Sequence, residues 1–349
     1  MGLLSCAAHN INLVLSHAFD EMPRQFVYET IDETMQSCAE LVTFMKRSGL
    51  NAKLRKRLVQ QVETRWNSKL AMLRSVAEAF PELLEEFGTK KEVKDRLLKI
   101  DLDLLKELVR ILEPFREASE LLQAEKTPTL HLVVKCANKL RRCLREDPTD
   151  TLDVQLVKKW LAKNVHRLRV EPLHLAAHAL QPDWRQKSYG DWADVREGHR
   201  VLLARATEEA ARLSPGEQMS RPERVVRLQT SSFLDSETDS SDEESVVDDP
   251  TLTQPAAVRA KRELDAYLLA PGGEGHDILS YWQGKKAELP LLAKVARSIL
   301  AIPASNTSSE RSFSTAGRVV EERRTRLSGN SVDAILFLNS QAKRELSQK

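Results

Sequence analysis

Three clusters of basic residues are the side chains best suited to bind phosphate. Their members are Lys53, Arg55, Lys56 and Arg57; Arg141, Arg142 and Arg145; and Arg318, Arg323, Arg324 and Arg326. Lysine and arginine neutralise phosphates and supply the sequence-independent part of nucleic-acid affinity. No aromatic residue is interleaved with these clusters. Solvated helix faces, or a rim facing a partner chain for the last cluster, are therefore equally open interpretations.

Glu310 is a carboxylate whose spacing from Thr307 matches a helix-capping box. In that motif the first side chain accepts from the backbone three residues on, and the acid reaches back to the cap. A structural role therefore accounts for Glu310. The four cysteines form no CxxC pair, so we expect neither a metal site nor a disulfide framework.

The composition is that of a helical protein with a substantial core. Hydrophobic residues make up 41% of the 349 residues, charged residues 30%, and there are only 12 glycines and 14 prolines. No stretch of 18 apolar residues exists, so no membrane-spanning helix is expected. The N-terminal residues lack the basic region of a secretory signal, and we expect a cytosolic or nuclear protein.

Apolar spacing predicts a series of helices, most strongly over residues 102–124. A short strand is expected to end near Ala8. A basic helix is predicted over 52–62, followed by a helix that starts at about residue 68 and breaks at Pro81.

Residues 214–256 lose this periodicity. Within them, residues 231–250 contain eight acidic residues and no lysine or arginine. Such a composition cannot bury enough apolar surface to fold, so we predict an acidic disordered linker.

The most specific signal lies near the C-terminus. Residues 289–341 contain, in order, the letters IPAS, SER, FS and AG, and then a closing helix with the run LFL. This pattern resembles the dimerisation region of hAT transposases and their domesticated relatives, including BED-finger proteins. Three upstream segments also resemble family motifs: Cys6 to His9, Thr64 to Ser68, and Tyr281-Trp282.

The resemblance implies a fold class that is mainly α with an α/β remnant. The family has a ribonuclease-H-like core interrupted by a long α-helical insertion. On this basis we expect the core remnant over 1–67, the insertion over 68–213, the linker over 214–256 and the dimerisation region over 257–349.

The resemblance also implies a chemistry, in which an Asp-Asp-Glu triad holds two Mg²⁺ ions for phosphoryl transfer. Glu310 matches the triad glutamate. Both family aspartates precede the Cys6–His9 motif, and the printed sequence has only five residues before Cys6. We therefore expect both to be absent, and no enzymatic activity or cofactor. A composite active site completed by a related chain is the enzymatic alternative.

His9, Arg65 and Trp66 match family positions that lie near the cut DNA strand. The planar guanidinium suits phosphate contacts, and tryptophan can stack on a flipped base. Simple packing of His9 and Trp66 is the other interpretation, and both stay open.

The apolar residues of the C-terminal region exceed what three short helices can bury alone. We expect part of them to pack on the chain itself and the rest to meet a partner. The predicted dimerisation residues are Leu292, Val295, Ile299, Phe313, Ile335, Leu336 and Leu338.

The sequence thus predicts a non-catalytic, transposase-derived module in the nucleus. The expected partner is the chain itself or a related hAT-type protein, with DNA as a possible partner and no membrane. A DNA- or chromatin-associated transcriptional regulator is the alternative.

Overall fold

The computed structural model describes residues 4–22, 26–62, 66–187, 191–212, 254–271, 277–307, 309 and 328–346. In these ranges the regular elements are all helical, and no β-strand is present. The mainly α prediction is confirmed. The ribonuclease-H-like remnant stays a prediction, because the described residues contain no sheet to support it.

The α-helices follow one another along the chain with short connections. We number them α1 (Ala7–Asp20), α2 (Phe26–Arg47), α3 (Trp66–Phe87), α4 (Lys91–Leu97), α5 (Leu102–Leu122), α6 (Leu132–Cys143), α7 (Leu152–Asn164), α8 (Pro172–Ala179), α9 (Trp192–Arg212), α10 (Ala256–Leu269), α11 (Ile278–Gly284), α12 (Pro290–Leu300) and α13 (Gly329–Leu346). Two short 3₁₀ helices lie at Leu50–Lys53 and Val165–Arg167.

The most strongly predicted helix, over 102–124, is confirmed as α5. Asp101 caps it by accepting from the backbone N–H groups of Asp103 and Leu104, each at 3.0 Å. This cap satisfies two of the donors that a helix N-terminus leaves unpaired. The inner face that follows is apolar and buried, with Leu108 and Phe115 fully enclosed.

Two local predictions in the N-terminal part are wrong. The strand expected to end near Ala8 is helical, because α1 begins at Ala7. The basic helix predicted over 52–62 is also absent. Asn51 instead accepts from the Leu58 N–H at 2.8 Å and donates to the Leu58 C=O at 3.2 Å. This side chain competes with helical backbone pairing, and Leu54 and Leu58 anchor the loop by burial.

The predicted break at Pro81 is wrong as well, since α3 runs from Trp66 to Phe87. A proline inside a helix removes one backbone hydrogen bond. The apolar stripe nevertheless continues on both sides of it, with Phe80, Leu83 and Phe87 buried. Burying three large side chains outweighs the lost hydrogen bond.

Packing divides the chain into two compact units, which we call unit one (residues 1–171 and 302–349) and unit two (residues 172–301). In unit one, α1, α2, α3, α5 and α7 enclose a core of mostly aliphatic side chains. The division expected at residues 67 and 213 follows family ancestry rather than packing, and it stays a prediction.

Unit two is built around α9, which contacts α8, α10 and α12. The buried residues of α9 are Gly198, Leu202, Ala206 and Ala210, spaced every four positions along one face. This stripe of mostly small residues lets the neighbouring helices approach closely. A methyl group at Gly198 would lie 2.8 Å from the carbonyl oxygen of Leu175, so α8 and α9 require glycine there.

None of the helices in the described ranges is both long and apolar enough to cross a lipid bilayer.

Candidate functional site

The N-terminal end of α1 is where the predicted Cys6–His9 motif lies. Cys6 caps this helix, its Sγ accepting from the His9 backbone N–H at 3.4 Å. The Ala7 N–H donates to the Ala304 carbonyl oxygen at 2.8 Å. The Ala304 N–H in turn donates to Thr129 Oγ1 at 2.9 Å. Within unit one, the start of α1, the turn before α6 and the segment after α12 therefore meet at buried Ala304.

His9 and Trp66 are related through the same helix. The Trp66 indole N–H donates to Ser16 Oγ at 2.9 Å, and Ser16 is seven residues after His9. Seven residues are about two helical turns, so His9 and Ser16 lie on one side of α1, about 10 Å apart along its axis. The His9 side chain is exposed. Arg65 lies outside the described residues.

The indole of Trp66 is already engaged by its neighbours. Phe19 stacks on it with ring centroids 4.6 Å apart, and the Lys69 ammonium lies 4.4 Å from the ring centroid. Burial lowers the pKa of Lys69, and the carboxylates of Asp20 and Asp32 oppose that shift. Stacking on a nucleic-acid base would have to displace one of these contacts. The arrangement favours an anchoring role for Trp66, and base stacking stays a prediction.

The predicted residues of α12 lie in the core of unit two. Leu292, Val295 and Ile299 are 0%, 1% and 2% exposed, and α8, α9, α10 and α11 supply the surrounding contacts. Their burial is therefore accounted for within this chain. Whether they also touch a partner stays a prediction.

The N-terminus of α12 is capped from a different helix. The Glu263 carboxylate, on α10, accepts from the backbone N–H groups of Leu291 at 2.9 Å and Leu292 at 3.0 Å. Burial raises the pKa of Glu263, and these two donors oppose the shift. The sequence analysis missed this residue, because a cap borrowed across 28 positions leaves no local sequence signal.

The predicted residues of α13 are placed differently. Ile335 and Leu338 are 38% and 65% exposed, and Leu336 is half-buried. Phe337, which the sequence analysis left out, is 60% exposed. The run from Ile335 to Leu338 did carry a signal for it. Four consecutive apolar residues span more than one helix face, so one of them must point away from the others.

Two predicted residues, Glu310 and Phe313, lie outside the described residues. The family-implied Mg²⁺ pair requires three carboxylates around one position. Across the described ranges, no group of three or more His, Cys, Asp or Glu side chains is arranged to hold a metal ion. Glu310, which matches the triad glutamate, lies outside these ranges, so the expectation of no metal site stays a prediction.

Comparison with known proteins identifies the C-terminal part of the chain. Residues 263–342 match the model of the hAT family C-terminal dimerisation region. The putative AC transposase of Zea mays is 45% identical over 78 residues, which cover 21% of this chain and 10% of that protein. The resemblance to hAT transposases is confirmed.

Two more distant relatives match longer stretches. The transposable element Hobo transposase of Drosophila melanogaster is 23% identical over 185 residues, which cover 51% of this chain and 27% of that protein. The putative transcriptional regulator tpeD of Talaromyces stipitatus is 23% identical over 388 aligned positions, which cover 99% of this chain and 42% of that protein. The chain thus spans less than half the length of each of these three relatives.

Proposed function

We propose that this chain associates through residues 263–342, which match the model of the hAT family C-terminal dimerisation region, with a second copy of itself or with a related protein. The observation that carries the proposal is α13, which lies inside the matched segment. It presents Ile335, Phe337 and Leu338 to solvent. Large apolar side chains grouped on one helix mark interaction surfaces.

Solution mass tests this association. We expect light scattering on the full chain to give a dimer, and Leu338→Glu to shift the mass towards the monomer, because a charge at the centre of an apolar interface is left unpaired. The matched control is Leu152→Glu, which changes a leucine of comparable exposure (73% against 65% for Leu338) outside the matched segment. A monomeric wild-type chain, or equal effects of the two variants, would contradict self-association through α13.

The role is proposed to be assembly rather than DNA cleavage, and the nucleus is its proposed location. Residues 263–342 match the model of a dimerisation region, which supports assembly. The enzymatic alternative is a composite active site shared with a longer relative. It predicts Mg²⁺-dependent nicking of DNA by a mixture of the two proteins and its loss in Glu310→Gln. Nicking by this chain alone would refute the assembly-only role.

A second candidate function is regulation of transcription through DNA. The likeness to tpeD, whose name is that of a putative transcriptional regulator, extends over 99% of this chain, and that breadth favours the idea. Phosphate contacts would come from the basic clusters. The exposed members are Lys53, Arg55, Lys56, Arg57, Arg141, Arg142 and Arg145, and the cluster Arg318, Arg323, Arg324 and Arg326 lies outside the described residues.

Salt dependence of duplex binding tests this candidate. If the basic clusters contact phosphates, log K falls linearly with log salt, and each charge removed reduces the slope by about 0.9. Arg141→Gln with Arg142→Gln should therefore flatten the slope by roughly two such steps. No retention of duplex DNA at low salt would rule out this function.

A further inference from the structure

A buried guanidinium in unit two has no anionic partner among the residues that the structure describes. Arg185 is only 6% exposed. Its Nη2 donates to the Ala270 carbonyl oxygen, and its Cζ lies 5.1 Å from the centre of the Tyr267 ring. Its Nη1 is buried without a hydrogen-bond acceptor. Within the described residues its contacts are the Ala270 carbonyl, the Tyr267 ring and, through a side-chain hydrogen bond, the Tyr267 hydroxyl, and all of these groups are neutral.

A second unpaired donor belongs to the same cluster. The Tyr281 hydroxyl is buried and makes no hydrogen bond within the described part of the chain. The charge of Arg185 acts on this hydroxyl and opposes the rise in its pKa that burial causes. The Tyr281 ring lies 6.3 Å from Tyr267 and 5.4 Å from Trp282, measured between ring centroids.

The neighbouring polar groups are satisfied, which sets these two apart. The Tyr267 hydroxyl donates to the Ala179 carbonyl at 2.8 Å, and the Trp282 indole N–H donates to the Leu180 carbonyl at 2.9 Å. Backbone carbonyls therefore accept hydrogen bonds from Tyr267 and Trp282. Arg185 Nη1 and Tyr281 Oη form no hydrogen bond within the described residues. Arg185 Nη1 can only donate a hydrogen bond and the Tyr281 hydroxyl can also donate one, so one external acceptor group satisfies both.

A buried charge without a counter-ion is costly, and native proteins pair it. Asp183 lies close enough to raise the pKa of Tyr267 but forms no ion pair with Arg185. Lys285 adds positive potential at Tyr281, although Glu288 pairs with it at 2.5 Å. Tyr281 is itself only half-buried, so the cluster lies just beneath the surface of unit two.

We propose that Arg185 and Tyr281 form a binding site for one compact oxyanion, a carboxylate or phosphate group. One oxygen of the anion accepts from Arg185 Nη1 and another from the Tyr281 hydroxyl. Arginine suits such ligands because its planar fork matches their geometry. The site lies wholly within unit two and is independent of the association through α13.

Thermal unfolding of the full chain in different salts tests the site. At constant ionic strength, we expect inorganic phosphate or acetate to raise the melting temperature in a saturable way, while chloride does not. A ligand that binds only the native state stabilises it by mass action. Phosphate acting alone would assign a phosphate group, and acetate acting alone would assign a carboxylate. Equal melting temperatures in all three salts would refute the proposal.

Two tyrosine variants separate anion binding from general packing. Tyr281→Phe removes an unpaired hydroxyl, so we expect unchanged or higher stability in chloride and loss of the anion response. Tyr267→Phe removes a paired hydroxyl from the same cluster, so it should lower stability in chloride and keep the response. A full anion response in Tyr281→Phe, or its loss in Tyr267→Phe alone, would overturn the assignment.

Discussion

Helices α12 and α13 lie in the same matched segment but have opposite surroundings. Both show apolar residues at helical spacing. In α12 those residues are enclosed by the other helices of unit two, whereas α13 leaves Ile335, Phe337 and Leu338 exposed. Amphipathic spacing thus predicts that a face will be covered, but not whether this chain or another one covers it.

Because of this contrast, we expect the same kind of substitution to affect different equilibria in the two helices. A substitution in α12 acts on the folding of unit two. A substitution in α13 acts on association, and on folding only where association is linked to it. The predictions below test this division, from the largest expected effect to the smallest.

Leu292→Ala should lower the free energy of unfolding of unit two by about 2–5 kcal/mol, because it opens a cavity at a fully buried position. Urea unfolding followed by tryptophan fluorescence measures the change. Leu291→Ala, one position away and also buried (4%), shows whether the cost is general to the covered face. A cost below about 0.5 kcal/mol, typical of surface sites, would mean that α12 is not covered by its own unit.

Acid should weaken the same core through His174 on α8, a helix that packs against α12. Burial lowers the pKa of His174 from 6.5 to about 4. Between these values the unfolded chain binds more protons than the folded one. Stability therefore falls as the pH falls through this window, with a loss of about 3 kcal/mol below it.

Urea titrations at several pH values measure this loss. His174→Gln should flatten the pH dependence between pH 6.5 and 4 relative to the wild type. Glu263, whose pKa burial raises, is present in both proteins and cancels in the comparison. Identical slopes would show that His174 does not titrate as its burial requires.

The Glu263 cap of α12 makes the next largest contribution to the stability of unit two. Glu263→Ala should cost about 1–3 kcal/mol, because the N–H groups of Leu291 and Leu292 lose their acceptor. Glu263→Gln keeps an acceptor oxygen and removes a charge that burial disfavours, so its cost should be clearly smaller. Chemical denaturation gives both values, and equal costs would mean that the charge itself, rather than hydrogen-bond acceptance, matters.

The sequence predicted most helices but not every interruption. Helix α5 follows directly from its apolar spacing. The structure adds the signals at the helix starts, Asp101 as the cap of α5 and Pro290 at the first position of α12. The basic stretch after α2 has helical composition, yet Asn51 holds it in a loop through contacts seven residues away. Pro81 looks like a break until the apolar residues on both sides are seen to be buried together.

Site residues were harder to predict, because their burial depends on contacts between residues that are distant in the sequence. The pattern around Leu292 and the pattern around Leu338 look equivalent in one dimension. The difference depends on partners far along the chain, such as helix α9 and Glu263, which contact α12. The family motif located the region, while the packing within each unit decided which of its residues are enclosed.

The smallest expected effect completes the comparison. Phe337→Ala should change the stability of the dilute, monomeric chain by less than about 0.5 kcal/mol, because the side chain is 60% exposed and has little packing to lose. Association makes the melting temperature depend on protein concentration. The wild type should therefore melt at a higher temperature as its concentration rises, and Phe337→Ala should lose this dependence. If the variant instead melts lower at every concentration by the same amount, then α13 is covered within its own chain, as α12 is, and the contrast between the two helices fails.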